Sequence, residues 1–479
     1  MTLWAFLGNK PGIKQKEKAG PMAYFFVKKQ WWVLVFAVML PWGSFAGPAR
    51  GQELEPQLFI VTSFPKALFN RFKDAFQERH PGVRIKVLNK KTSAAISYIQ
   101  ETAARPADLF WASAPDAFEV LKQSGHLARY PVSKASIPDT IGGHPVNDPD
   151  GYYNGFAVSG YGIMWNERVL KKQGLPRPWE WSDLKKPVYF RKVGISAPSR
   201  SGTTHLIVET ILQYEGWEAG WATLLEIAGN LATVTARSFG VPDGVNSGRF
   251  AIGLVIDFFG LSSQASGHPV KFVYPTATTL APANIAIIKN APHPRAAKAF
   301  IDFLLSPQGQ KILFEPAVRR LPVLPAAYDD APKDYPNPFS GALAPGINFS
   351  SAISRQRYHL VNTLFDQMIT FRIKSLNKAW KAIHDAEDAL TRTPDAALSK
   401  IIVQARHLAT AVPVDAHAAA DPAFSATFKR VKRGIPPPSR QAEIVEEWSR
   451  TTLRQQAEAL ALAENVLSML ARQPAHRAN

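Results

Sequence analysis

The sequence contains no cysteine in 479 residues. This absence excludes thiol catalysis, disulfide bonds, iron–sulfur clusters and zinc sites built on thiolates. It also excludes a lipid anchor on an N-terminal cysteine. The apolar and charged fractions, 46% and 20%, are those of an ordinary globular protein, so a wholly disordered, collagen-like or coiled-coil chain is excluded. The length is sufficient for two or three domains.

An apolar run near the start of the chain has the flanks of a secretory signal. Lys28 and Lys29 precede the run 31–42, and small residues follow it up to residue 51. The run is shorter than the ~20 residues that a membrane-spanning helix needs. These features favour export of the protein over insertion of the segment into a membrane.

We therefore predict that residues 1–51 form a signal peptide, cleaved after Ala46 or Gly51. The mature protein would be soluble and periplasmic, and the lack of cysteine predicts that it is not lipid-anchored. Two alternatives stay open: an uncleaved signal anchor, and a true start at Met22.

The chain is basic, with a formal net charge of +18. Residues 52–479 hold 49 Lys and Arg against 37 Asp and Glu, a net charge of +12. The basic residues are scattered, and no zinc-finger, RNP or basic-zipper pattern is present. We predict a solvated surface that favours anions and no nucleic-acid partner.

From residue 58 onward, short apolar runs alternate with helical patterns. In the first helical pattern Phe69, Phe72 and Phe76 share one face. The runs that predict strands are 58–61, 83–87, 107–111, 160–165, 193–196, 251–259 and 284–288. Such alternation predicts an α/β fold with a parallel, doubly wound sheet.

The strands are too many for one block, so we predict two lobes that share one chain, with crossings near 155–162 and 268–282. The predicted segments are 52–160 for the first part of lobe 1, 161–270 for lobe 2, 271–345 for the return to lobe 1, and 346–479 for an all-helical C-terminal extension. Within the extension, residues 412–440 are rich in proline and are predicted to be loop, and a last helix is predicted over 439–473.

Hydroxyl residues stand where helices are predicted to begin after strands. In open α/β sheets, ligands bind beyond the carboxyl ends of the strands, and helix N-termini offer N–H groups and partial positive charge to anions. The alternative is that these residues are ordinary helix N-caps. The candidates for ligand binding are Thr62, Ser63, Thr92, Ser93, Ser113, Ser201, Gly202, Thr203 and Thr204.

Three further residues complete the predicted site. Arg200 and His205 flank the Ser201–Thr204 turn and could carry positive charge, although the turn lacks the Gly-Lys-Ser/Thr ending of a Walker A loop. Asp257 interrupts an apolar run, where an unpaired carboxylate would be costly. It is predicted either to accept hydrogen bonds from a ligand hydroxyl or amine, or to bond the backbone structurally.

At these positions the chain resembles a known family. The stretches that carry the likeness are 107–113 (ADLFWAS), 160–162 (GYG), 199–203 (SRSGT), 253–255 (GLV) and 303–310 (FLLSPQGQ). They are similar to the extracellular solute-binding proteins of ABC importers, in the ferric-iron and phosphonate branch, nearest the phosphoglycerate-transport regulatory type. The resemblance implies a type II periplasmic-binding fold, whose two lobes close on a ligand that is delivered to a membrane permease.

One departure from the family bears on the ligand. Iron-binding members carry paired tyrosines, whereas the nearest stretch here is Asp257-Phe258-Phe259. A small organic phosphate or phosphonate is therefore expected as the ligand, and ferric iron is the less favoured alternative. A second alternative is a ligand sensor that docks on a membrane signalling protein. The histidines form no HExxH motif, and we predict no enzyme activity, cofactor or metal site.

Overall fold

The computed structural model describes residues 53–101, 107–132, 136–341, 343, 346–429 and 436–472. The predicted signal peptide, residues 1–51, lies outside the described residues. Within the described part of the chain, no helix combines the length and apolar character needed to cross a membrane.

The strands in the described residues are β1 (Gln57–Thr62), β2 (Arg84–Asn89), β3 (Leu109–Ala112), β4 (Leu127–Ala128), β5 (Thr140–Ile141), β6 (His144–Pro145), β7 (Asn154–Asn166), β8 (Val193–Ser196), β9 (Leu231–Thr235), β10 (Ile252–Ile256), β11 (Val270–Val273), β12 (Leu280–Ile288) and β13 (Leu321–Pro322).

The α-helices in the same residues are α1 (Lys66–Arg79), α2 (Thr92–Glu101), α3 (Pro115–Gln123), α4 (Glu167–Gln173), α5 (Gly202–Glu215), α6 (Trp217–Gly229), α7 (Gly240–Asn246), α8 (Asp257–Ala265), α9 (Pro294–Leu304), α10 (Pro307–Ile312), α11 (Ser351–Gln356), α12 (Tyr358–Phe365), α13 (Ile373–Arg392), α14 (Ala396–Thr410), α15 (Ala416–Ala420), α16 (Pro422–Ala426) and α17 (Ser439–Arg472).

The first lobe is built on strands in the order β2-β1-β3-β12-β7. Strand β1 pairs in parallel with β2 and β3, as the strand–helix alternation predicts. Strand β12 is antiparallel to β3 and β7, so the expectation of a fully parallel sheet is wrong. The reason is that β12 enters this lobe from the other one, and its direction is set by that crossing rather than by a strand–helix–strand unit.

The long strand β7 joins the two lobes. Residues 154–160 pair with β12 in the first sheet, and residues 161–165 pair with β10 in the second. The chain returns between β11, which pairs with the second half of β7, and β12. A two-lobed α/β fold is therefore present, while the exact domain boundaries given above stay predictions.

The second lobe orders its strands β7-β10-β8-β9 and is covered by helices. In α5, every residue from Gly202 to Leu212 is buried. A helix buried all round needs partners on more than one side, and the C-terminal helices supply the second side.

The C-terminal extension packs on the second lobe. Trp380 of α13 is fully buried, and its side chain lies so near Gly229 of α6 that a Cβ there would meet it at 2.4 Å. The predicted last helix is confirmed as α17. The prediction of loop over 412–440 is partly wrong, because the short helices α15 and α16 lie there; Asp415 and Asp421 cap them and offset the local proline content.

Candidate functional site

A small cavity lies between the lobes, at the ends of β1, β3 and β10 and the first turn of α5. Six of the predicted residues line it: Ser63, Thr92, Ser113, Arg200, Ser201 and Thr203. Its volume is ≈ 20 Å³, which is the room that about one water molecule needs. A separate open groove of ≈ 590 Å³ between α1 and α8 shares Phe258 and Phe259 with the cavity.

The lobes touch directly beside the cavity. The Ser93 hydroxyl of the first lobe donates to the Ser199 carbonyl of the second at 2.9 Å. The backbone N–H of Gly202 lies 3.5 Å from the Thr92 hydroxyl. The structure therefore shows the lobes closed on each other, and a ligand of several heavy atoms enters only when they part.

The first turn of α5 has the predicted geometry. Ser201 is the N-cap and accepts a hydrogen bond from the Thr204 N–H at 3.2 Å. The partial positive charge of the helix N-terminus thus lies at the cavity. Within the described residues, the Thr203 hydroxyl, which lines the cavity, makes no side-chain hydrogen bond.

Two other predicted caps are wrong. Helix α1 begins after Pro65 rather than Ser63, and α3 begins after Ala114 rather than Ser113; neither helix has a side-chain cap. Proline at or next to a helix start already supplies the required backbone angle and needs no cap for its missing N–H. The hydroxyls of Ser63 and Ser113 are therefore not used by these helices.

Three predicted hydroxyls do not line the cavity. Thr62 donates to the Trp111 carbonyl at 2.7 Å, and Thr204 bonds the hydroxyl of Ser196. Ser93 lines a separate cavity of ≈ 520 Å³ on the side of the extension. These side chains support the walls of the cleft rather than forming its surface.

His205 lies away from the cleft. Its imidazole is fully buried and bonds Asn362 at 3.0 Å and Ser354 at 3.1 Å, both in the extension. Burial lowers the pKa of His205, so it does not supply the positive charge that the sequence suggested.

Asp257 bonds the backbone, which was the second of the two roles predicted for it. Its carboxylate accepts from the N–H groups of Gly160 and Phe258, each at 2.7 Å, and from the Tyr274 hydroxyl at 3.1 Å. Burial raises its pKa to about 6. It does not line the cavity, so it acts on the site only through its neighbours.

Two cations that sequence reasoning missed also line the cavity. Lys91 and Arg237 join Arg200 there, and no Asp or Glu of the described residues does so. Partial burial lowers the pKa of Arg237. Both residues stand two positions after a strand, β2 and β9, so the same rule that selected hydroxyls at strand ends would have found them had it been applied to basic residues.

A third missed residue lies beneath the cavity. Arg320 is fully buried, and its guanidinium donates to the hydroxyls of Ser113 and Ser159, each at 3.0 Å. The aromatic ring of Phe258, a cavity residue, lies 3.9 Å from the guanidinium carbon. The cleft thus combines helix dipole, hydroxyls and cations, the groups that bind an organic anion.

Comparison with known proteins agrees with this geometry. The family described as "Bacterial extracellular solute-binding protein" matches residues 104–341. "Phosphoglycerate transport regulatory protein PgtC" of Salmonella typhimurium is 34% identical over 387 residues, which are 79% of this chain and 91% of that protein. The chain belongs to the bacterial extracellular solute-binding proteins. The family resemblance drawn from the sequence is confirmed.

Other solute-binding proteins are more distant. The "Fe(3+)-binding periplasmic protein" of Serratia marcescens is 24% identical over 292 residues, 59% of this chain and 81% of that protein. The structure of AfuA from Actinobacillus pleuropneumoniae, solved with fructose-6-phosphate, matches with a TM-score of 0.58, 19% identity and coverage of 65% of this chain and 98% of its own.

The structure of P5PA matches this solute-binding protein equally well, with a TM-score of 0.58, 20% identity and coverage of 66% of this chain and 100% of its own. At these identities the two solved structures establish the fold alone. They confirm the predicted type II periplasmic-binding fold.

Proposed function

We propose that this solute-binding protein captures a small organic phosphate or phosphonate in the periplasm, for delivery to an ABC importer. The observation that carries the proposal is the charge of the cavity: Lys91, Arg200 and Arg237 line it, without a carboxylate among the described residues. The N-terminus of α5 adds partial positive charge at the same place.

The chemistry of the lining matches a phosphate group better than a metal ion. Hydroxyls such as Ser113 and Thr203 donate to phosphate oxygens, and arginine binds them in a fork of two N–H groups. Phe258 and Phe259 supply apolar surface for a carbon skeleton. We propose binding without catalysis, since these groups hold an anion and none is paired as a nucleophile with a base.

The relatives support this ligand class. One is named as a phosphoglycerate transport regulator, and another was solved with fructose-6-phosphate. Phosphorylated three- to six-carbon acids and sugars are therefore the first ligands to test.

Calorimetry with paired ligands tests the proposal. Wild-type protein should bind 3-phosphoglycerate or fructose 6-phosphate and not glycerate or fructose. Arg200→Gln removes a cavity cation, and because a charge-assisted hydrogen bond is worth about 1.5–3 kcal/mol, affinity should fall about ten- to a hundredfold. Arg168→Gln, an exposed arginine of α4 in the same lobe, is the matched control.

Native mass spectrometry of protein purified from its host identifies the ligand itself. A retained phosphorylated anion supports the proposal. Equal affinity for the phosphorylated and unphosphorylated ligands contradicts the proposal. An equal loss of affinity in Arg200→Gln and Arg168→Gln also contradicts it.

A regulatory sensor is the second candidate function. The relative that covers 79% of this chain is named a regulatory protein, whereas the solved binding proteins cover 65–66% of it. The additional helices supply surface for a membrane partner. Loss of ligand-dependent gene expression with normal uptake, on changing exposed residues of α14 or α17, would favour this role over delivery to a permease.

A further inference from the structure

Arg320 is a buried cation that lacks an ionic partner. Its side chain is fully buried, and no Asp or Glu of the described residues forms an ion pair with it. Burying a charge without such a partner is costly. A fold that keeps the charge here requires compensation from some other source.

The immediate surroundings provide only part of that compensation. The rings of Phe64 and Phe258 lie 4.5 and 3.9 Å from the guanidinium carbon, a favourable but weak contact. The Asp257 carboxylate attracts the charge from a distance, but its own hydrogen bonds go to Gly160, Phe258 and Tyr274. The guanidinium Nε has no hydrogen-bond partner among the described residues.

The residues that contact Arg320 also form the wall of the cavity. Phe64, Ser113 and Phe258 each touch Arg320 and line the cavity. The charge therefore lies one side chain behind the place where the ligand binds. In so dry a site, electrostatic attraction is screened far less than in water.

Ser113 is oriented by this contact. Its hydroxyl oxygen accepts from Arg320 Nη2, and it has no other hydrogen-bond partner in the described part of the chain. A hydroxyl whose lone pair is held by a cation keeps its own proton free to donate. Because Ser113 lines the cavity, that proton is available to an oxygen atom of the ligand.

The contact between Phe258 and Arg320 depends on closure of the two lobes. It follows β10 of the second lobe, while Arg320 directly precedes β13, which pairs with the first-lobe half of β7. The contact between them is therefore made across the cleft. Parting of the lobes admits water to the guanidinium, and closing excludes it, so the need for a compensating anion is greatest in the closed state.

We propose that Arg320 is the positioning residue that selects a doubly charged phosphate group: it directs the Ser113 proton into the cavity, and the ligand's phosphate supplies the countercharge it lacks. The proposal rests on the proposed function and names the group that distinguishes a phosphate from a singly charged anion of the same shape.

The test compares two ligands of like shape and different charge. At pH 8, 3-phosphoglycerate carries a doubly charged phosphate and glycerate 3-sulfate a singly charged sulfate. Wild-type protein should bind the phosphate at least about tenfold more tightly. Arg320→Met should reduce that ratio several-fold, since Lys91, Arg200 and Arg237 stay in place, and Arg320→Lys should restore part of it because it keeps the charge.

Two serine variants separate positioning from simple stability. Ser113→Ala and Ser159→Ala each remove a hydroxyl that accepts from Arg320 at 3.0 Å, but only Ser113 lines the cavity. Affinity for 3-phosphoglycerate should fall about tenfold in Ser113→Ala and less in Ser159→Ala. Arg168→Met is the control for loss of an exposed arginine.

The outcomes distinguish the two proposals. If the wild type binds neither ligand, the proposed function fails. If it prefers the phosphate but Arg320→Met keeps the full ratio, Arg320 is structural and this inference is overturned. Should Arg320→Met fail to fold, the serine pair decides: equal losses of affinity in Ser113→Ala and Ser159→Ala overturn the inference, and a larger loss in Ser113→Ala supports it.

Discussion

Asp116 Oδ2 and His205 Nε2 lie 3.5 Å apart, although Asp116 belongs to α3 of the first lobe and His205 to α5 of the second. The Ser354 hydroxyl of the extension lies 2.7 Å from the Asp116 carboxylate and 3.1 Å from the imidazole. All three side chains are buried. The two lobes and the extension therefore meet at one polar junction in the closed structure.

The junction predicts a pH dependence of stability. Burial raises the pKa of Asp116 from 3.8 to about 7. The unfolded chain releases this proton near pH 4 and the folded chain near pH 7, so the stability that Asp116 contributes in its protonated form is lost as pH rises across that interval. Asp116→Asn removes the ionisation.

The free energy of unfolding, measured with urea at pH 5 and pH 8, tests this. The wild type should lose roughly 2–3 kcal/mol relative to Asp116→Asn over that range, at about 1.4 kcal/mol per pKa unit. The neighbours His205, Glu209, Glu119 and Arg355 stay in the variant, so the difference reports the ionisation of Asp116 together with its coupling to them. Asp385→Asn, an exposed carboxyl of α13, is the control. Parallel pH profiles for wild type and Asp116→Asn would contradict the prediction.

Gly202 is predicted to be essential for closure of the lobes. A Cβ at Gly202 would lie 2.3 Å from the Cβ of Ala114 in the facing lobe. Gly202→Ala should therefore hold the lobes apart and weaken 3-phosphoglycerate binding at least tenfold, with little loss of stability because alanine favours the helix more than glycine does.

Small-angle scattering with and without ligand checks this prediction. The radius of gyration of wild-type protein should fall on binding, and that of Gly202→Ala should not. Gly82→Ala is the matched control, since a Cβ there meets nothing within 4 Å. A Gly202→Ala protein that compacts normally would show that the lobes accommodate the methyl group.

The extension is predicted to be part of the fold and not a removable appendage. Trp380 belongs to the same hydrophobic cluster as Trp221 of α6 and Val193 of β8. Trp380→Ala should lower the free energy of unfolding by about 3–5 kcal/mol. Val403→Ala, at an exposed position of α14, should change it by less than about 0.5 kcal/mol. Similar midpoints of thermal unfolding for the two variants would be inconsistent with this.

It follows that removing residues 346–479 would damage the second lobe, so a signalling role is better tested with surface substitutions.

Iron is predicted not to be the ligand. Phe258 and Phe259 line the cavity, and neither ring carries an oxygen for a ferric ion. Addition of ferric citrate should produce no visible charge-transfer band, and it should not compete with 3-phosphoglycerate in calorimetry. A coloured, tightly bound complex would reverse the choice of ligand.

The sequence predicted those parts of the site that depend on neighbouring residues. Helix capping was the alternative given for Ser201, and the Thr204 N–H that it accepts from is only three residues away. Ser63, Ser113, Arg200 and Thr203 were placed at the cleft because ligands lie beyond strand ends in this class of fold, and the alternative role of Ser63 and Ser113 as helix caps is absent.

The sequence by itself determined the α/β alternation, the two-lobed family fold and the position of the last helix, because hydrophobic periodicity and local motifs act over a few residues. Only the tertiary structure decided which groups line the cavity between the lobes. Arg320 meets Ser113 across 207 positions, and His205 meets Asn362 across 157. Such contacts arise from packing between segments that are far apart in the chain, so a histidine beside a predicted binding turn is buried against the extension, whereas a distant arginine lies beneath the cleft.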